Sequence, residues 1–205
     1  GPITAVGRLL ADLGAHVTAV HLAGVTAADT TGPRIDGVPI GTAINRHGLP
    51  TVEIDTSTPG GRQAWADLVA TADILIENTR PGSAAEKSLS VKQIHADHPA
   101  LVILSISDFG RDTRYRDWQA TTPVLHALTS ELSRSGIPGQ TPLVPPSADL
   151  PYHVAAAQAA FFALCVFLDR LRTGTGDLID FSVLEGAMQT LDPPFGTAGS
   201  AAAGV

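Results

Sequence analysis

The stretch Ala72–Gly82, A-D-I-L-I-E-N-T-R-P-G, decides how this chain is read. Ile74, Leu75 and Ile76 make a short unbroken apolar run, the mark of a strand buried on both faces. It ends in a polar turn carrying Glu77, Asn78, Thr79 and Arg80. Open α/β sheets bind ligands beyond the carboxyl ends of their strands, so this turn is a candidate site. Arg80 offers a planar fork of donors suited to phosphate or carboxylate, with Asn78 and Thr79 beside it. An ordinary strand-to-helix loop carries the same residue types, so the rest of the chain must decide.

Working outward, strand-like and helix-like runs alternate, the pattern of a parallel sheet flanked by helices. Strands are expected at 17–20, 51–54, 74–77, 101–107 and 178–181. Helices are expected at 4–13, closed by Gly14, and at 60–72, 150–172 and 183–191. Residues 22–47 read as a Gly/Thr-rich loop. Ser90 and Gln93 have capping-box spacing, opening a short helix before Pro99. Pro123 suits the first turn of a helix that Gly136 closes, and Pro138–Pro146 reads as a Pro-rich connection.

Bulk composition narrows the function. The 205 residues are 44% hydrophobic, enough for a sizeable core and against disorder. The formal charge of −7 disfavours nonspecific nucleic-acid binding and anionic membranes, which want a basic face. A small anion held by a few local arginines remains compatible. Cys165, the one cysteine, sits in an apolar run, rules out an internal disulfide and agrees with a reducing cytoplasm. The apolar run Val154–Leu168 is interrupted by Gln158, is short for a bilayer and reads as a buried helix. Trp65 and Trp118 read as core or interface aromatics. His95 and His98 lack a third ligand nearby, so no metal site is expected. Ser105 and Ser107 lack the G-x-S-x-G elbow of an acyl hydrolase.

Four blocks carry a family likeness: G-P-x(5)-R-L-L-A-D-L-G-A-H-V at 1–17, the 72–82 stretch, P-A-L-V-I-L-S-I-S-D-F-G at 99–110, and R-L-R-T-G-T-G-D-L-I-D-F-S-V-L-E-G-A at 170–187. In order and spacing the chain resembles the family III CoA-transferases, which include formyl-CoA and carnitine CoA-transferases and the α-methylacyl-CoA racemases. The resemblance implies a Rossmann-like parallel sheet flanked by helices, the large-domain portion of an interlocked-dimer fold. Residues 1–192 would be the N-terminal part of that domain, with its first strand missing. Residues 193–205, rich in Ala, Gly and Ser, would be a linker toward an absent small domain. It implies coenzyme A or acyl-CoA as substrate, a carboxylic acid as acceptor, and a homodimer or a paired homologous subunit. It also implies covalent catalysis by an aspartate carboxylate.

The chain departs from that pattern at informative places. Counting back from Arg170 to the family's aspartate lands on Tyr152, and the nearest carboxylate is Asp149, one helical turn upstream. Asp149 is therefore the candidate nucleophile, with a helix N-cap as its competing role. Tyr152 is suited to donating a hydrogen bond to a thioester carbonyl and is a poor nucleophile at neutral pH. The family's N-x-N-K motif becomes Asn45, Arg46, His47 and Gly48, and its arginine after the turn falls at Glu86, beside Lys87. Asn78, Thr79, Arg80, Lys87 and Arg46 are left as candidate CoA contacts. Asp108 stands where the family has Lys or Gly. The racemase branch would place its histidine at Ala120–Thr122, where none occurs. The thinned basic positions and the Tyr152 register support a second reading, a noncatalytic partner segment of a fused or two-subunit enzyme.

Overall fold

The computed structural model describes residues 2–23, 33–134, 137, 140–143 and 149–191. In chain order the first elements are α1 (Pro2–Asp12), β1 (Ala19–Leu22), β2 (Arg34–Ile35), β3 (Val38–Pro39), α2 (Ile40–Arg46), β4 (Thr51–Ile54), α3 (Pro59–Thr71) and β5 (Ile74–Glu77). There follow α4 (Ala84–Leu89), α5 (Val91–Asp97), β6 (Val102–Ser107), α6 (Thr122–Leu128), a 3-10 turn (Glu131–Arg134), α7 (Leu150–Thr173), β7 (Leu178–Ser182) and α8 (Val183–Leu191).

The sheets are parallel wherever helices separate their strands. β1 pairs with β4, while β6 lies between β5 and β7. Every residue of β6 is buried, which is why V-I-L-S-I-S shows no alternation. The main core joins Val6 and Leu10 of α1, Leu104 and Ile106 of β6, the alanines of α7, and Phe181 and Val183. A second cluster gathers Val69, Val91, Leu101 and Ile103, with Trp65 half-buried against it. Trp118 is exposed, and it packs edge-on against Phe109 with ring centroids 6.2 Å apart.

Several expectations need correction. The strand expected at 17–20 lies at Ala19–Leu22: Ala19 N–H donates to Pro50 O (2.8 Å), and pairing runs on from Thr51. The 22–47 segment is not all loop. Asp36 and Gly37, both at positive φ, turn the β2–β3 hairpin, and α2 follows it. Ser90 does precede α5, but in a left-handed conformation with no side-chain cap. The capping side chains belong instead to Thr58, which accepts from Gly61 N–H before α3, and to Ser83, which accepts from Glu86 N–H before α4. Helix α6 ends at Leu128; Gly136, most of Pro138–Pro146 and residues 193–205 lie outside the described residues.

Helix α7 departs from its expected burial. Pro151, Ala155, Ala156, Ala159, Ala160 and Ala163 form its buried face, and their small side chains let α1 and α8 pack closely. Phe161, Phe162, Leu168 and Leu171 are exposed, as is Cys165. It is the one helix among the described residues long and apolar enough to cross a bilayer by length and composition. Its alanine face nonetheless packs in the core.

The motif R-T-G-T-G after α7 has two mechanical jobs. Gly174 takes φ +78° and caps the helix, its N–H donating to Arg170 O at 2.7 Å. Gly176 lets the chain pass directly over β6: a Cβ there would sit 2.3 Å from Leu101 O. Gly176→Ala must displace backbone, so a loss on the overpacking scale of about 1–3 kcal/mol is expected in urea unfolding. Gly14→Ala, strained only by its φ of +99° with open space around it, serves as the comparison.

Candidate active site

At the carboxyl end of β5 the buried Glu77 carboxylate gathers the turn around itself. Thr79 donates to Oε2 twice, from its amide (2.7 Å) and its hydroxyl (2.6 Å), and Ser105 of β6 donates its hydroxyl to Oε1. Thr79, one of the candidate CoA contacts, thus spends its hydroxyl proton on Glu77. The cation that balances Glu77 is Arg111, from the loop after β6. Its guanidinium, 12% exposed, donates to Glu77 Oε1 (2.8 Å), Glu86 Oε1 (2.7 Å), Thr79 O (2.7 Å) and the Ser105 hydroxyl. Its backbone N–H donates to both carboxylate oxygens of Asp180 on β7. One residue thus joins the ends of β5, β6 and β7.

Glu86 completes the turn. Its second oxygen accepts from Gly82 N–H at 2.6 Å, and Arg116 stands 3.7 Å away. Burial pushes this carboxyl up, but the Gly82 N–H, Arg111 and Arg116 together hold it below its ordinary value. The contribution is thus present at neutral pH and is lost as pH falls from the ordinary carboxylate range through that lowered value.

Arg80, exposed, lines a cavity of about 310 Å³ with Pro81, Gly82, Ser83 and Asp117. Asn78 is exposed on the same turn, and Lys87 is exposed in the last turn of the adjoining α4. Arg46 is placed differently. It ends α2 beside the β1–β4 sheet, half-buried, with Nη1 2.9 Å from His21 Nε2. A larger opening, about 700 Å³, lies at the amino ends of β1 and β4. Its Arg8 is occupied by Asp12 and the His47 carbonyl.

Asp149 stands exposed at the start of α7. Its side chain makes no capping bond, and only its carbonyl is used, accepting from His153 N–H at 3.0 Å. The N-cap role that competes for this residue is not the one its carboxylate plays. Tyr152, half-buried one turn on, is pushed up to about 12 by burial, then by the charges of Asp108 and Asp149. It remains a neutral phenol, a donor, across the physiological range. Asp108 follows β6, is itself raised by burial, and accepts from Ala120 N–H at 2.9 Å. His126 is fully buried against Glu131.

Sequence reasoning missed Arg111 and the partners it collects. S-A-A-E at 83–86 is a readable capping box, but nothing local announces that Arg111 reaches back to it. Alkaline titration followed by tyrosinate absorbance should show a step near pH 12 that Tyr152→Phe removes. A Tyr152-dependent step at the ordinary phenol value of 10.0 would contradict its placement.

Comparison with known proteins adds to this geometry. The chain is 40% identical over 200 residues, 98% of its length, to a probable CoA-transferase of Mycobacterium tuberculosis, and covers 25% of that protein. It is 34% identical over 152 residues, 73% of its length, to the succinyl-CoA–L-malate CoA-transferase alpha subunit of Chloroflexus aurantiacus, covering 36% of it. A CaiB/BaiF family protein from Brucella suis has the same fold, with TM-score 0.80 at 24% identity, over 98% of this chain and 54% of that one. The chain therefore spans about half, or less, of the length of the proteins it matches. The sequence pattern of CoA-transferase family III runs over residues 1–204, and with parallel sheets, flanking helices and a 40%-identical relative in agreement, the chain belongs to that family.

Proposed function

We propose that the chain is part of an enzyme that moves CoA between an acyl-CoA and a carboxylic acid, with the cavity beside Arg80 taking the anionic CoA moiety. The observation that carries this is the place of Arg80: on a cavity, at the carboxyl end of a parallel strand, in a family III chain. Asn78 and Lys87 flank it, Thr79 contributes turn geometry, and Arg46 would reach CoA from the other sheet. The solution compartment that fits is the cytoplasm, given one unpaired thiol. Residues 1–192 are taken as part of the large domain and 193–205 as a linker.

Asp149 is the nucleophile in this reading. Its carboxylate oxygen bonds to the acyl carbon while the C–S bond breaks and CoA leaves as thiolate. The thiolate attacks Asp149 Cγ and expels the donor's carboxylate, leaving an aspartyl thioester. An acceptor carboxylate attacks that carbonyl, the thiolate leaves again, and its attack on the acceptor's acyl carbon returns Asp149 as carboxylate. The neutral Tyr152 hydroxyl is suited to hydrogen-bond the developing oxyanion.

A second reading has specific support. Tyr152 occupies the register of the family's aspartate, and the chain covers only a quarter of its Mycobacterium relative. This segment would then be a noncatalytic partner of an active copy, fused or separate. An acyl-CoA racemase is the third and weakest alternative.

Incubation with acyl-CoA and hydroxylamine, followed by peptide mass spectrometry, should convert Asp149 to its hydroxamate, and Asp149→Ala should abolish the label. Turnover undiminished by Asp149→Ala, in the presence of a second copy carrying the aspartate, would assign this chain the partner role.

Pairing of subunits is supported by the apolar stripe Phe161, Leu168 and Leu171 on α7, 62–67% exposed. Phe161→Glu with Leu168→Glu should turn a dimer into a monomer in sedimentation velocity. An unsubstituted chain that sediments as a monomer would exclude this stripe as the pairing surface.

A further inference from the structure

The geometry points to Arg111 as a positioning residue that presets the Asn78–Ser83 turn for CoA, acting through Glu77, Glu86 and the Thr79 carbonyl. This rests on the CoA-pocket reading above. It assigns a role to a residue outside the four motif blocks and outside the cavity lining.

A turn that presents one exposed guanidinium to a polyanion binds well only if its backbone is held beforehand; otherwise binding has to order it. Here the holding comes from Arg111. Its Nη2 reaches both the Glu77 carboxylate at the root of the turn and the Thr79 carbonyl within it. Its Nη1 reaches Glu86, whose other oxygen takes the Gly82 N–H at the far end. Gly82 takes φ +77°, so the backbone bends sharply at that held point. The Arg111 amide, anchored on Asp180, ties the guanidinium to the sheet rather than to solvent. Neither carboxylate is left without a cation, since Arg116 approaches Glu86 as well. The forked, planar head is needed, because a lysine ammonium cannot span Glu77, Thr79, Ser105 and Glu86 together.

Two variants of the full chain test this. Arg111→Lys keeps the charge and loses the fork. Glu86→Gln, at a position 20% exposed, leaves the Glu77–Ser105–Arg111 core in place. Arg111 and the Gly82 N–H face different oxygens of Glu86, and glutamine puts an NH2 donor in place of one of them, so one of the two loses the acceptor it faces. In both variants amide exchange at Gly82 should speed by about tenfold or more, while Ile103 within β6 stays protected. CoA itself, titrated calorimetrically, should bind about tenfold more weakly to both, with the thermal midpoint of Glu86→Gln little changed. Unchanged exchange at Gly82 overturns the positioning role whatever CoA does. Faster exchange with unchanged CoA affinity overturns its link to binding. If the unsubstituted chain does not bind CoA, the pocket reading fails, and that link fails with it.

Discussion

Burial of β6 on both faces is the constraint from which the rest of the arrangement follows. A strand with no solvent-facing side must satisfy its backbone on both edges, and it does so with β5 and β7. Its apolar residues supply the two core clusters that seat α1 and α7 on one side and α3 and α5 on the other. Its Ser105 carries the sharper obligation. Ser105, 1% exposed, must hydrogen-bond within the protein, and it finds Glu77. A carboxylate buried that deeply requires a cation, and Arg111 folds back to provide it. Removing one partner from such a buried pair is costly, on the order of 3–5 kcal/mol. The polar end of the sheet is thus organised by the same strand that organises its apolar centre.

This ordering leaves an exposed guanidinium in an acidic chain for the anion site proposed above. Among the charged groups at the sheet's carboxyl end, Arg111 is consumed by structure, while Arg80 stays exposed on its cavity. The guanidinium that holds and the guanidinium that presents are different residues. At the start of α7 the distribution is reversed. Asp108 and Asp149 bracket a half-buried phenol, and burial first, then their charges, raise it further above the physiological range. In the proposed reading, the carboxylates stand around the register of the resembled family's aspartate rather than in it.

Legibility varied with the kind of signal. The bounds of β4, β5 and α8 match their expected limits, and α7 differs by one residue, because period and punctuation agree at each. The D-G turn of the β2–β3 hairpin, inside a segment that composition marks as loop, and the S-A-A-E box of α4, in a segment given no element, are equally local signals. Ser90 shows the limit of such patterns. It has the spacing of a cap, but it also closes α4 at φ +46°, where its side chain makes no capping bond. The apolar run of α7 reads as buried because hydropathy counts residues without regard to faces. Only the packing of its alanines shows which half is inside.

By itself the amino-acid order determined the alternation of strands and helices, the turn after I-L-I-E, the family and the absence of an aspartate at the Tyr152 register. Those properties rest on local period, capping and spacing, which lie within a few residues of one another. The tertiary structure alone decided that Arg111 clamps the turn across 34 positions from Glu77, that Thr79 spends its hydroxyl on Glu77, and that Asp108 bears on Tyr152. The first and last of these couple residues far apart in sequence, and the second, though local, depends on the burial of Glu77. No short-range pattern encodes a charge's partner; the low-dielectric interior selects it, since burial of one ion demands its counter-ion wherever the chain can deliver one.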